Sequence, residues 1–238
     1  MQRALRLIYP PQCLSCGERV VEEGGLCAAC WSGAGFIGGL VCDKCGVPLV
    51  GADDGEAAYC DDCLTIARPW RRGRAVMTYG NTARRIALQL KYGDRLDIAR
   101  PAGLWMARAA QSILVPGMVV APVPLHWLRL FRRRYNQAAL LADRVARELG
   151  LGYCPDLLIR ARRTESQEGR DREARFANMA AAIRAHPGRR RRLAGRHVLL
   201  VDDVFTSGAT LAAAAEACLA GGAEAVSILV LARVAKAP

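Results

Sequence analysis

Asp202 and Asp203 stand side by side at the end of the apolar run "HVLLV", and Thr206, Ser207, Gly208 and Thr210 follow at once. Two adjacent carboxylates accept hydrogen bonds from vicinal sugar hydroxyls or hold the water shell of a Mg²⁺ ion. The hydroxyl-rich loop runs straight into "GATLAAAAEACLA", which reads as a helix. A helix N-terminus carries unpaired N–H groups and the positive end of the helix dipole, so this loop favours a phosphate. Gly208 lets the backbone approach such an anion closely. The loop matches neither G-x-x-x-x-G-K-[ST] nor G-x-G-x-x-G, which sets aside the usual nucleotide loops at this place. Acids and hydroxyls together fit a sugar phosphate.

A second chemistry lies at the other end of the chain. Eight of the ten cysteines form four C-x-x-C pairs: Cys13/Cys16, Cys27/Cys30, Cys42/Cys45 and Cys60/Cys63. Each C-x-x-C turn points two thiolates at one centre, and two turns supply the four-sulfur shell that zinc prefers. Two structural zinc sites are expected, paired sequentially, with crossed pairing as the alternative. A disulfide framework needs an oxidising compartment for which the sequence carries no signal, and redox pairs occur singly beside a βαβ pattern. Cys154 and Cys218 read as small core residues.

The elements that position the acids alternate between strand and helix. A strand is expected around Ala75–Tyr79, then a helix over "ARRIALQLKY" capped by Asn81 or Thr82 and stopped at Gly93. A second helix follows over about Ile98–Ile113. "GMVVAPVP" reads as a buried strand ended by prolines, and "NQAALLADRVAREL" as a helix closed by Gly150. "HVLLVDD", "GATLAAAAEACLA" and "AVSILVLA" give strand, helix and strand. Continuous apolar strands alternating with helices imply an α/β fold, an open, mostly parallel sheet covered on both faces. In such sheets ligands bind beyond the carboxyl ends of strands, where Asp202 and Asp203 fall. The run Arg189–Arg192 reads as a solvated loop.

These residues resemble a known family. "VLLVDDVFTSGAT" is similar to the phosphoribosyl pyrophosphate (PRPP) signature of type I phosphoribosyltransferases. With the doubled C-x-x-C ribbon, "LKYGD" at 90–94, "PVPLH" at 122–126 and "RRRYNQA" at 132–138, the whole chain resembles the ComF family of competence proteins. The pattern of Thr164, Gln167, Arg175 and Asn178 adds to the likeness. The resemblance implies a sheet of the type I phosphoribosyltransferase kind, with Asp202 and Asp203 holding the ribose hydroxyls of Mg²⁺-bound PRPP. It places the 5′-phosphate on Thr206, Ser207, Gly208, Ala209 and Thr210. Val123, Pro124, Arg133 and Arg134 would belong to the pyrophosphate loop, and Arg162, Arg163, Arg172 and Arg175 to a flexible hood. Fork-shaped arginine donors suit pyrophosphate on chemical grounds as well, although either cluster also reads as a solvated basic face. Thr206 stands where many purine-type transferases carry an acid, which argues against a 6-oxopurine salvage enzyme. The family further implies a role in natural competence, handling single-stranded DNA beside a helicase-like partner. The rival readings are a nucleobase salvage enzyme and a regulator that senses PRPP without catalysis.

Charge divides the chain at the same place as the motifs. Residues 1–67, the expected double zinc ribbon, hold four Lys/Arg against nine Asp/Glu, whereas residues 68–238, the expected phosphoribosyltransferase-like domain, hold 30 against 13. The basic footprint for nucleic acid therefore lies outside the ribbon. Glu216 and Glu224 interrupt the most apolar region, so no membrane insertion is expected, and the absence of a secretory pattern points to the cytoplasm.

Overall fold

Each apolar run read as a strand is buried on both faces, and the strands pair in parallel as such runs require. The computed structural model describes residues 10–125, 134–160 and 182–235. Strands β1 (Arg72–Thr78), β2 (Val119–Pro122), β3 (Gly152–Tyr153), β6 (His197–Phe205) and β7 (Ala225–Arg233) form one parallel sheet in the order β1-β7-β6-β2-β3. A separate antiparallel pair joins β4 (Leu158–Arg160) to β5 (Ile183–Ala185). These three-residue strands are too short for a period-2 pattern, and the sequence does not announce them.

Helices cover the two faces unequally. On one face α3 (Asn81–Tyr92), α4 (Ala99–Ala110) and α5 (Gln137–Leu149) pack Ile86, Leu90, Met106, Leu141 and Val145 against Val120, Leu199, Val201 and Leu229. On the other, α7 (Ala209–Ala220) and the β4–β5 pair pack against Leu200, Ile228 and Val230. Alanines let α7 lie close to the sheet, and its burial explains why it is apolar almost all round.

The ribbon finishes the sheet. Its two short helices, α1 (Ala28–Ser32) and α2 (Asp61–Thr65), are each capped by the first cysteine of a module's second pair, Cys27 or Cys60, and carry the other, Cys30 or Cys63. Between the modules the chain runs along the outer edge of β1. Ile37 N–H donates to the Val76 carbonyl at 2.8 Å, and Thr78 N–H to Gly35 at 2.9 Å. Gly73 N–H reaches the Asp43 carbonyl at 2.8 Å. The edge strand is thereby covered, which removes an exposed pairing surface. Leu14 and Ala34 of the first module join the α3–α4 face, whereas Cys42 and Cys45 of the second join the α7 face. The ribbon straddles the edge.

Two local expectations change. Asn81 and Thr82 lie inside α3, with Gly80 as its N-cap, because Thr82 is drawn into the interior beside the first module. Arg190–Leu193 forms a helical turn, α6, where a loop was expected. Buried Leu193 anchors the turn, and Arg189 before it pairs with Asp156 at 2.8 Å.

Candidate functional site

Strands β2 and β6 are neighbours, Pro122 lying opposite Val201, yet the helices that follow them leave to opposite faces. This is the topological switch point of the sheet, where a crevice opens beyond the strand ends. Val123 and Pro124 end the β2 side, both buried, with Val123 N–H bonded to the Val201 carbonyl at 2.9 Å. Asp202, Asp203 and the loop 206–210 end the β6 side.

Asp203 is buried, and three donors reach it. Lys91 Nζ of α3 lies 2.9 Å from its Oδ2, Gln137 Nε2 of α5 lies 3.5 Å from the same oxygen, and Val204 N–H donates to Oδ1 at 2.8 Å. Asp202 is partly exposed and accepts the Asp203 N–H on its Oδ1 at 2.9 Å. Its enclosed position, reinforced by the Asp203 charge and opposed by Lys91, pushes its carboxyl up to about 8. The two acids thus differ: Asp203 is ion-paired to a lysine, whereas Asp202 is poised to take or release a proton.

The loop before α7 is braced from behind. Gly208 has φ 84°, and a Cβ there would meet the Phe205 ring at 2.5 Å, so only glycine fits. Arg233 lies over Phe205, Cζ 4.1 Å from the ring centroid, and its Nη1 donates to the Thr206 carbonyl at 3.0 Å. Arg68 Nη1 donates to the Ser207 carbonyl at 3.2 Å. With these carbonyls held inward, Thr206 is exposed, and Ser207 and Thr210 are partly exposed at the mouth of the helix. Ala209 begins α7 and is buried beneath them. The arrangement suits an oxyanion at the helix N-terminus.

The loop leading into α5 carries a strained residue. Arg134 is exposed with φ 63°, and Asp94, three residues after Lys91, has φ 51°. These are the non-glycine residues in the left-handed region among the described residues, and both adjoin side chains that contact Asp203. Strain of this kind concentrates at binding sites. Asn136 caps α5 by accepting from Ala138 N–H at 3.0 Å, and donates to the Val123 carbonyl at 3.1 Å, tying this loop to the end of β2.

The cysteine sulfurs gather as two groups, Cys13/Cys16/Cys27/Cys30 and Cys42/Cys45/Cys60/Cys63, each with all ligand atoms within 4.8 Å of one another. Cys16 and Cys27 sulfurs are 3.6 Å apart, as are those of Cys45 and Cys60. A tetrahedral zinc with bonds of about 2.3 Å places its sulfurs about 3.8 Å apart, so both groups fit the ion. Hydrogen bonds from Cys45 and Cys63 hold the Cys42 thiol far below its ordinary range. Burial raises Cys13, but the backbone groups of Cys16, Cys27 and Ser15 outweigh it and bring that thiol down to about 6. Each centre already favours a thiolate, the form that binds metal.

Comparison with known proteins agrees with both halves. Residues 4–64 match the family described as a double zinc ribbon domain, and residues 136–237 the phosphoribosyl transferase domain. The chain is 31% identical over 234 residues to the DNA utilization protein YhgH of Escherichia coli K12, covering 95% of this chain and 99% of that protein. It is 26% identical to competence protein F of Haemophilus influenzae, over 93% of this chain and 96% of that one. Competence protein ComFC of Bacillus subtilis is 27% identical over 83% of this chain and 79% of its own length. This chain belongs to the ComF family.

Within this ComF-family chain the crevice gathers Asp202, Asp203, Thr206, Ser207, Gly208, Ala209 and Thr210 with Val123 and Pro124, and Arg134 lies in the loop between β2 and α5. Arg133, Arg162, Arg163, Arg172 and Arg175 lie outside the described residues. Lys91, Gln137, Arg68 and Arg233 were not singled out as site residues from sequence. Lys91 stands within "LKYGD" and Gln137 within "RRRYNQA", both noted only as part of the family likeness, and Arg68 and Arg233 carry no local signal of their role.

Proposed function

We propose that the protein binds PRPP with Mg²⁺ at the switch point between β2 and β6 and serves natural competence in the cytoplasm. The observation that carries this reading is the placement of two adjacent acids, one buried and one partly exposed, and a glycine-centred helix N-terminus at the end of β6, directly beside the β2 loop. Asp202 and Asp203 accept the ribose hydroxyls, the loop 206–210 takes the 5′-phosphate, and the β2 side with Arg133 and Arg134 faces the pyrophosphate. Mg²⁺ would neutralise the pyrophosphate, with Asp202, the freer acid, ordering its water shell. The cysteine groups hold structural zinc, and the chemical division at residue 67 separates metal centres from ligand site.

Saturating Mg²⁺–PRPP should raise the melting temperature, since a ligand at about 100 times its dissociation constant adds roughly 2.7 kcal/mol. Asp203→Asn should abolish most of that rise, because it breaks the ion pair with Lys91 and removes the carboxylate beside the ribose. No rise in wild type contradicts the reading. Pyrophosphate release in the presence of a panel of bases separates a transferase from a PRPP-binding regulator, and the hydroxyl of Thr206 disfavours 6-oxopurines in that panel.

DNA handling beside a helicase-like partner belongs to the same proposal. Arg190, Arg191 and Arg192 are exposed on α6, on the basic part of the chain. They suit the phosphates of a single strand. Replacing all three with serine should make the log–log salt slope of single-stranded DNA binding shallower by about 2, at about 0.7 per phosphate contact. An unchanged slope would remove this surface from the account.

A further inference from the structure

The second cysteine group and the phosphate loop lie on the same face of the sheet, and one side chain spans the space between them. Arg68, on the segment joining α2 to β1, is 8% exposed. Its Nη1 holds the Ser207 carbonyl, and its Cζ lies 5.5 Å from the ring centroids of both Trp70 and Phe205. A Cβ on Gly208 would come within 3.0 Å of Nη1, so the loop has no slack over the guanidinium. On its other side the guanidinium is near enough to the Cys63 sulfur to act on it, a minor counterweight on a thiol that Cys42 pushes up overall. Trp70, which stacks under it, is clamped to the second knuckle: its Nε1 donates to the Lys44 carbonyl at 2.6 Å, and Lys44 Nζ donates back to the Trp70 carbonyl at 2.9 Å. Lys44 sits between Cys42 and Cys45. Knuckle, Trp70, Arg68 and Ser207 form a continuous packed chain.

The charge on Arg68 is not balanced by a carboxylate among the described residues, and its Nε and Nη2 are buried without a hydrogen-bond partner. Burying a guanidinium with unpaired donors is costly unless a negative group stands close by. Four thiolates around a divalent ion carry a net charge of about −2 and offer sulfurs as acceptors. The loaded second centre supplies what Arg68 lacks. The first centre has no comparable link among the described residues: it lies on the α3–α4 face, where Gln89 Nε2 donates to the Ser15 carbonyl.

We propose that Arg68 is a positioning residue that couples the second four-cysteine metal centre to the phosphate loop, so that the loop holds its binding shape for a sugar 5-phosphate only while that centre is loaded. The inference rests on the reading of residues 206–210 as the 5′-phosphate site. The loaded centre fixes one edge of the guanidinium, the rings fix its plane, and Nη1 then fixes the Ser207 carbonyl inward beside the left-handed Gly208. Discharge of the centre leaves the guanidinium free to turn toward other acceptors, and the carbonyl follows it.

The test uses the full-length protein carrying two zinc ions per chain by elemental analysis, titrated calorimetrically with ribose 5-phosphate, inorganic pyrophosphate and Mg²⁺–PRPP. Arg68→Met keeps length and apolar stem but removes charge and fork, and should weaken ribose 5-phosphate about tenfold or more, the worth of one charge-assisted hydrogen bond. Pyrophosphate binding and zinc stoichiometry should stay unchanged. Arg68→Lys, which keeps the charge and one donor, should fall between wild type and Met, and it reads the coupling alone if the Met variant does not fold. Cys60→Ser, which empties the second centre, should weaken ribose 5-phosphate in the same way, whereas Cys16→Ser, at the first centre, should not. Equal ribose 5-phosphate affinity in wild type and the Arg68 variants overturns the coupling while leaving PRPP binding intact. Equal losses for pyrophosphate, or for Cys16→Ser, show a general loss of stability and overturn it too. Failure of wild type to bind both PRPP and ribose 5-phosphate removes the site reading and this inference with it.

Discussion

The two cysteine modules begin with the same knuckle, C-x-x-C-G, and differ in what lies against it. In the first, Cys16 is exposed and a Cβ on Gly17 would meet nothing within 4 Å. In the second, Cys42 and Cys45 are fully buried, and a Cβ on Gly46 would strike the Ala75 backbone nitrogen at 2.6 Å. Asp43, inside this knuckle, pairs with both Arg72 and Arg74 of β1, at 2.8 and 3.0 Å. Ligand chemistry is local and has been duplicated, whereas the consequence of losing a ligand is set by the surface behind it. One module closes over the helices of the far face; the other is built into the core on the α7 face.

The sharpest way to break this comparison is to remove one ligand from each centre. Cys45→Ser should cost about 4 kcal/mol or more and one zinc per chain, because it opens a metal centre that is part of the main core. Cys16→Ser should also lose one zinc, with a clearly smaller fall in melting temperature. Thermal denaturation with elemental analysis checks both. Equal destabilisation by the two variants would mean that the modules are structurally equivalent.

A subtler version leaves all ligands in place. Gly46→Ala combines a left-handed φ of 70° with a backbone clash and should cost about 2–4 kcal/mol, whereas Gly17→Ala, at φ 80° in open space, should cost only about 1 kcal/mol. Urea denaturation at constant zinc loading measures the difference. A cost for Gly17→Ala as large as for Gly46→Ala would place the effect in backbone strain alone and remove the packing argument.

The smallest expected effect concerns the acids at the crevice. Asp202 is raised above its unfolded value by burial and by Asp203, so the folded protein keeps a proton that the unfolded chain releases. Its contribution to stability is therefore greatest in acid and is lost as the pH rises from about 4 toward 8. His197 acts in the opposite sense: burial lowers it, so stability is lost as the pH falls below 6.5. Above 6.5 the Asp202 slope stands largely alone of these two, and Asp202→Asn should flatten it. Denaturation midpoints at several pH values check this, and an unchanged slope in the variant would show that Asp202 is already ionised.

The contrast also explains which features could be read in advance. The acids, the hydroxyl loop and the cysteine pairs are local patterns, and their spacing carries their chemistry. The strands β6 and β7 announce themselves as unbroken apolar runs because both faces are covered. Lys91 and Asp203 are more than a hundred positions apart, as are Arg68 and Ser207, so nothing near either residue marks the contact. Arg68 follows an acidic ribbon and precedes "PWRRGR", where one more arginine looks like solvated charge; its burial depends on Trp70 and Phe205 arriving from distant segments. Gly80 displaced Asn81 as the cap because the first module claims Thr82, a tertiary effect that local capping preference does not contain.

The claim on which all of this depends is that the crevice beside Asp202 and Asp203 is a PRPP site. Isothermal titration of the zinc-loaded full-length protein with Mg²⁺–PRPP measures it directly. The account predicts one saturable site per chain, weakened strongly by Gly208→Val, whose β-branched side chain neither tolerates φ 84° nor fits against Phe205. Absence of saturable binding to wild type, or equal binding to the Gly208→Val variant, would contradict it.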